Sequence, residues 1–318
     1  MGPPGFNSSF KWPNRAVSWT HASKLSLSAC SCPVSKLTVG AIALNDWLYL
    51  PLSGDQNYSS WNRLFSSNML ADLSQYTVAN FPSRLYYIPD FLSATEERDL
   101  CDFIYASPIP KWVTLSGRRL QNWGGIPHPK GMLSEPIPPW LTKFVDRVSA
   151  LGVFGSHCAN HVLINEYKPG QGISPHHDGP LYFPVVATLN LGSYGILDFY
   201  RPLDDNDANE DSQSTSYASR YIGSALLQPR SLNVVTDKLY THYMHGIECS
   251  STDFICTSDN IDLCALSDEI HRARIVNLDA CGPGVVPHTG MLNRDTRISV
   301  TIRYVPNVCK LSVNAFVM

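Results

Sequence analysis

The segment PHHDGPLYFP, residues 175–184, sets His176, His177 and Asp178 just before an aromatic run, between prolines and a glycine. In extended backbone, residues two apart share a face, so His176 and Asp178 converge while His177 points away. Downstream, LNVVTDKLYTHYMHGI offers His242 and His245 at the end of another strand-like run. His-X-Asp plus a distant histidine is the composition of the two-histidine, one-carboxylate set that holds iron(II) and leaves coordination positions open for substrate and oxygen. Alone the motif is weak. A chain with ten histidines yields one by chance roughly as often as not, and a turn in which Asp178 caps a backbone amide is the plain alternative.

Two further stretches bear on that choice. In NRDTRISVTIRYVP, alternation puts Arg297, Ser299, Thr301 and Arg303 on one face and Ile298, Val300 and Ile302 on the other. Two guanidinium groups aimed the same way need an anionic partner if that face is enclosed, because an unpaired buried charge is prohibitive. The planar fork of arginine suits a carboxylate bidentately. In VLINEYKPGQG, Asn165 and Tyr167 share a face shortly before His176. Together these residues could hold a small dicarboxylate beside a metal, whereas each stretch alone also reads as a solvent-facing edge strand.

Elements that would position these groups are legible around them. Ser93 and Glu96 make a capping-box pattern, followed by Leu100, Phe103 and Ile104 at helical spacing. A second helix is expected in IPPWLTKFVDRVSALG, with Leu141, Phe144, Val145 and Val148 in one stripe and Gly152 closing it. Then HVLINEY, LYFPVVATLNLG, ILDFYRP, SALLQP, SLNVVT and RISVTIRYV follow as short strands punctuated by Gly, Pro or Asn, which points to a sandwich or barrel. Polar inserts interrupt them at about 204–222, strongly acidic, and at about 250–293, with Cys249, Cys256, Cys264 and Cys281 in or beside it. Residues 1–80, rich in Ser, Asn, Pro and Trp, read as a poorly ordered or lineage-specific extension ahead of a domain over 81–318.

With 44% hydrophobic and 16% charged residues, the composition is that of a soluble globular chain. A net charge of −3 marks no general nucleic-acid binder, so such binding would need a local basic surface. Nine cysteines, an odd set without a repeating framework, suit reduced thiols; Cys30 and Cys32 alone are a weak metal signal. The apolar run LTVGAIAL at 37–44 is short of a membrane span, and no signal-peptide core is visible, so an intracellular protein of nucleus and cytoplasm is expected.

From NHVLINEYKPGQGISPHHDGPLYFP through YTHYMHGI to RDTRISVTIRYVP, the chain resembles the AlkB family of iron(II)- and 2-oxoglutarate-dependent dioxygenases. PKWVTLSGRRLQNWGGIPHPKGM and EPIPPWLTKFVDRVSALGVFG are most similar to the branch called AlkB homologue six. The resemblance runs from about Tyr86 to Lys310, outside the two inserts. It implies a mainly β fold with flanking helices, a double-stranded β-helix (jelly-roll) core with the N-terminal helices packed on it. It implies iron held by His176, Asp178 and His245, the last preferred over His242 because the family's distal histidine precedes glycine. Asn165, Tyr167, Arg297 and Arg303 match the family's cosubstrate contacts, and Ser299 stands where the family often has Asn.

The activity so implied is oxidative. With iron(II), 2-oxoglutarate and O2, and ascorbate in support, the keto acid is decarboxylated to succinate and an N-methyl group on a base is hydroxylated and lost as formaldehyde. Reaching a base needs a single strand or a flipped nucleotide. The segment KWVTLSGRRLQNWGGIPHPKG has no acidic residue, carries Lys111, Arg118, Arg119 and Lys130, and interleaves Trp112 and Trp123. It is expected to be a substrate lid in which Arg118, Arg119, Trp123 and Tyr182 meet a nucleic acid. A monomer without membrane contact is expected. The alternatives are a 2-oxoglutarate hydroxylase of a protein or small molecule, and a catalytically weak nucleic-acid-binding module.

Overall fold

The computed structural model of the chain describes residues 73–79, 81–203, 216–257 and 272–309. Cys30, Cys32, most of the N-terminal extension and the middle of each polar insert lie outside the described residues. The strands in chain order are β1 (Leu85–Ile88), β2 (Val113–Leu115), β3 (Arg118–Trp123), β4 (Gly125–Ile126), β5 (Met132–Ser134) and β6 (His161–Tyr167). There follow β7 (Ile173–His176), β8 (Val185–Gly192), β9 (Gly195–Tyr200), β10 (Tyr221–Leu227), β11 (Leu232–Thr236) and β12 (Met244–Ile247). Last come β13 (Thr252–Ile255), β14 (Arg272–Ala273), β15 (Met291–Asn293), β16 (Arg297–Arg303) and β17 (Val308–Cys309). The helices are α1 (Ala94–Tyr105), α2 (Pro139–Ser149), α3 (Tyr217–Arg220) and α4 (Asp237–Thr241).

Two sheets carry the fold. The larger runs β1-β11-β8-β16-β6-β3-β2 and the smaller β10-β9-β12-β7. Strands that follow one another from β6 to β9 thus divide between the sheets in pairs, and so do β10 with β11 and β12 with β16. That is the winding of a double-stranded β-helix, and the jelly roll expected from the sequence is what the chain forms. All seven residues of β16 are buried, because it lies between β8 and β6 and is covered on both faces.

One core lies outside the barrel, where Leu100, Ile104, Phe144 and Val148 meet Val162, Ile164, Leu189 and Val300. The other lies within it, with Tyr167, Val186, Leu197, Phe199, Val235 and Ile247. The capping box of α1 forms as expected: Ser93 Oγ accepts from the Glu96 amide at 3.1 Å and Glu96 Oε2 from the Ser93 amide at 2.8 Å. α2 starts on Pro139, where the missing N–H costs nothing, and buries Leu141, Phe144, Val145 and Val148. Phe103 departs from the expected stripe. It is 46% exposed and stacks on Trp140 of α2 at 5.7 Å.

The second insert has structure that the sequence did not reveal. β13 pairs in parallel with β14 and antiparallel with β15. Asn277 then ties the segment to the barrel, its side chain exchanging hydrogen bonds of 2.8 and 2.9 Å with the backbone of Leu226. Cys101, Cys249, Cys281 and Cys309 are free thiols, while Cys158 and Cys256 are disulfide-bonded, a departure from an all-reduced set. Among the described residues no helix is long and apolar enough to cross a membrane.

The contrast between Phe144 and Phe103 is measurable. Phe144→Ala should cost about 3–5 kcal/mol in urea unfolding, as a filled core site is emptied. Phe103→Ala should cost roughly 1 kcal/mol, in the range of half-exposed positions. Equal losses would mean that α1 presents a different face to the sheet.

Candidate metal centre

β7 and β12 are adjacent antiparallel strands of the smaller sheet, and their register puts His176 opposite His245. The two imidazoles lie with ring centroids 4.6 Å apart. Asp178 follows β7 by two residues, and one ligand atom from each of His176, Asp178 and His245 falls within 4.8 Å of the others. Among the described residues this is the single group of three such side chains. His177 is exposed at the rim of the same cavity and offers no atom to this group. His242 is also exposed, at the end of α4 against Tyr243, so the fold itself chooses His245.

Protonation suits metal binding. His176 Nδ1 lies 2.9 Å from the Ser174 carbonyl, a bond that needs the proton on Nδ1 and leaves the Nε2 lone pair free. Burial pushes the His245 pKa down to about 4, keeping it neutral. Burial alone would raise the Asp178 pKa, but the Arg303 guanidinium and the His245 and His176 rings outweigh it and hold the carboxyl below its usual value.

Next to this cluster is a cavity of about 250 Å³, walled by both sheets. The cross-strand register places Arg297 opposite Tyr167, Ser299 opposite Asn165 and Arg303 opposite His161. Asn165, Tyr167, Arg297, Ser299 and Arg303 all line the cavity, so the same-face pattern in β16 is a pattern of inward groups. Arg303 forms an ion pair with Asp178, with both side chains buried. Arg297 donates from Nη2 to Asn190 Oδ1 at 2.7 Å, while its Nε and Nη1 are buried without a protein partner. Burial lowers the Arg297 pKa to about 10, which leaves it charged at neutral pH.

The four residues expected in the substrate lid separate. Arg118 lines the cavity and its Nε donates to Asn165 Oδ1 at 3.0 Å; Tyr182 lines it as well, with the Arg303 guanidinium 4.8 Å over its ring. Arg119 and Trp123 do not reach the cavity. Both stand on the odd side of β3, opposite Glu166 and Val162 of β6, and so face the helix layer. There Arg119 makes a bidentate pair with Glu166 at 2.7 Å and lies 4.1 Å over Trp112. Trp123 donates to Gln121 Oε1 at 2.9 Å and meets Trp140 edge-on at 5.6 Å.

The sequence signature of the 2OG-Fe(II) oxygenase superfamily matches residues 110–303, which contain every group just described. The chain is 44% identical over 244 residues to "Probable RNA/DNA demethylase ALKBH6" of Danio rerio, covering 77% of this chain and 95% of that protein. The chain belongs to the 2OG-Fe(II) oxygenase superfamily, in its AlkB branch. It is also 28% identical over 169 residues to "Uncharacterized protein L905" of Acanthamoeba polyphaga mimivirus, covering 50% and 70% of the two chains. A search of solved structures finds OsALKBH1 at a TM-score of 0.41 and 14% identity, covering 69% of this chain and 97% of that one.

A 2OG-Fe(II) oxygenase needs iron and a keto diacid, and the donors present fit both. Asp178 Oδ2 is buried without a hydrogen-bond partner beside the imidazoles of His176 and His245, a donor set that suits a divalent cation. Arg297 keeps a buried charge and unpartnered N–H groups at Nε and Nη1 that a carboxylate in the cavity could meet. Sequence reasoning missed Asn190, Gly195 and His161. Asn190 is the polar interruption in the apolar run of β8, which is a usable signal. Gly195 is there because a Cβ would stand 2.7 Å from both Cδ and Nε of Arg297, and nothing in the sequence points to that. His161 is buried with both ring nitrogens unpartnered; burial and then Arg303 push its pKa down to about 3.

His161 and His245 give the metal-free protein a defined acid sensitivity. Both are held neutral in the folded state, so the unfolded chain alone gains their protons once pH drops below the ordinary value near 6.5. Stability is therefore complete above 6.5 and falls between 6.5 and about 3–4, by at most about 1.4 kcal/mol per pH unit for each group. His161→Phe should flatten part of that slope in urea titrations across pH 4–7. An unchanged slope would show that His161 is not held neutral.

Proposed function

We propose that this dioxygenase removes alkyl groups from nucleic-acid bases by oxidation. The observation that carries the reading is one cavity in which the metal ligands, the unpaired nitrogens of Arg297, and the side chains of Arg118 and Tyr182 meet. Its similarity to a zebrafish protein named as a probable RNA/DNA demethylase supports the substrate class. Iron(II) with 2-oxoglutarate would supply the oxidising chemistry at the substrate C–H bond.

The chain's own part is placement. His176, Asp178 and His245 would hold the metal. Arg297, fixed by Asn190 and seated on Gly195, would take the far carboxylate of the keto acid, with Asn165, Tyr167 and Ser299 beside it. Arg303 neutralises Asp178 and stays over Tyr182, which makes Tyr182 a rigid ring at the cavity wall on which a base could stack. Arg118 is the cation of the lid that faces the cavity, and it would meet the phosphate or an exocyclic oxygen of the flipped nucleotide.

A second reading, hydroxylation of a protein or small molecule, draws on one observation. Lys111 is paired with Glu135 at 3.2 Å and Arg119 with Glu166 at 2.7 Å, so half of the lid's apparent basic charge is internally neutralised. Few phosphates would then be engaged, and strand binding should weaken only shallowly with salt.

The two readings part in a decarboxylation assay with iron(II) and ascorbate. Methylated single strands should raise succinate formation well above unmethylated strands and release formaldehyde in step. His176→Ala should abolish turnover in either case. Turnover that no modified strand stimulates would overturn the nucleic-acid reading and leave the second.

A further inference from the structure

The insert between His245 and Arg297 returns to the barrel through a buried polar joint beside the cosubstrate arginine. Arg294 clasps Asp253 of β13 with Nε to Oδ2 and Nη2 to Oδ1, both at 2.6 Å, and its Nη1 donates to the Glu248 carbonyl at 2.6 Å. The pair is nearly sealed from solvent, at 7% and 6% side-chain exposure. The Tyr194 hydroxyl reaches the same joint, 2.9 Å from Asp253 Oδ2 and 2.8 Å from the Leu292 carbonyl. Tyr194 is the neighbour of Gly195, on whose Cα the Arg297 side chain rests. The two chain segments are sewn together again by Ser193, which donates from its amide to the Thr296 carbonyl and accepts from the Asp295 amide at 3.1 and 2.9 Å. Tyr194, Gly195, Arg294 and Arg297 surround one void of about 10 Å³, so there is almost no room behind Arg297 for it to retreat.

We infer that the Arg294–Asp253–Tyr194 joint positions Arg297, and that the insert thereby sets the depth of the keto-acid pocket. Arg297 has one protein hydrogen bond and two unpaired buried nitrogens, so its place depends on what stands behind it. The joint supplies that backing. Its bidentate geometry fixes both the distance and the plane of Arg294, which a single contact would not do. With the joint intact, the distance from the metal ligands to the Arg297 fork is set, and with it the length of diacid that spans them. Loosening the joint lets Arg297 draw back, which weakens the hold on the five-carbon keto diacid and favours a six-carbon one.

This inference rests on Arg297 being the cosubstrate arginine, and the test separates the two. Thermal stabilisation by 2-oxoglutarate and by 2-oxoadipate is titrated with manganese(II) on the full chain, since a ligand that binds the folded state raises its melting temperature by mass action. Tyr194→Phe, which removes one hydroxyl and leaves the ion pair, should weaken the 2-oxoglutarate response roughly threefold to tenfold and shift preference toward 2-oxoadipate. Asp253→Asn should do so more strongly, and Asp253→Glu should recover part of the preference. In the decarboxylation assay the same variants should raise KM for 2-oxoglutarate and spare kcat. If Arg297→Ala binds 2-oxoglutarate as the wild type does, the cosubstrate assignment itself is wrong. If Arg297→Ala loses binding but Tyr194→Phe and a folded Asp253 variant keep both the affinity and the diacid preference, the joint is structural only and the inference is overturned.

Discussion

Two guanidinium groups buried in a central strand are the constraint around which the rest of the molecule is arranged. A buried charge left unpaired costs several kcal/mol, so β16 can carry Arg297 and Arg303 inward only if the fold brings anions to them. It brings one. Asp178 meets Arg303, and the pairing holds a carboxyl ionised in a site whose burial opposes ionisation. For Arg297 the protein supplies a neutral amide oxygen from Asn190 and leaves two nitrogens open. That asymmetry is the chemical statement of the pocket: Arg303 is paired with the carboxylate of Asp178, and Arg297 meets no carboxylate among the described residues.

The register of the large sheet turns this into geometry. Because β16 lies between β6 and β8, each inward residue of β16 meets one inward residue on either side. Ser299 stands between Asn165 and Asn190, and a serine there leaves space that an asparagine would fill. Asn165 Nδ2 is 3.5 Å from Ser299 Oγ, a weak contact, and Asn165 Oδ1 turns to Arg118 instead. β3 is thus tied to β6 and β16 through the one amide of Asn165. Arg118, Asn165 and Ser299 share a hydrogen-bond chain, so β3, β6 and β16 are coupled at the cavity wall.

Much of this was legible in the sequence where one physical rule decides. Period two alone gave His176 with Asp178, excluded His177, and put Arg297, Ser299 and Arg303 on one face. The same rule, applied to β3, would have parted Arg118 from Arg119 and Trp123. Composition outweighed it there: a stretch dense in cations and tryptophans reads as one surface, although alternation divides it between the cavity and the helix layer. The acid-free span that suggested a phosphate groove is balanced from outside, by Glu166 on the next strand and Glu135 just beyond. Long-range pairing of that kind leaves no trace in local composition. Phe103 shows the same limit on a helix, where spacing places a residue near the buried stripe but a neighbouring tryptophan decides whether it is covered.

What the sequence hid most completely was the use of its second insert. Nothing periodic marks 250–293, since β13, β14 and β15 are two to four residues long and pair only with one another across intervening segments. Their stability comes less from propensity than from two docking points, Asn277 on the Leu226 backbone and Arg294 on Asp253. Both points touch strands of the barrel or the turns that lead into them, and the second sits three residues before Arg297. An insertion tolerated by the fold would be expected to hang from the surface by its ends. This one is bonded back into the wall it interrupts, next to Arg297, whose guanidinium meets no carboxylate among the described residues, so the added chain and the open charge adjoin one another.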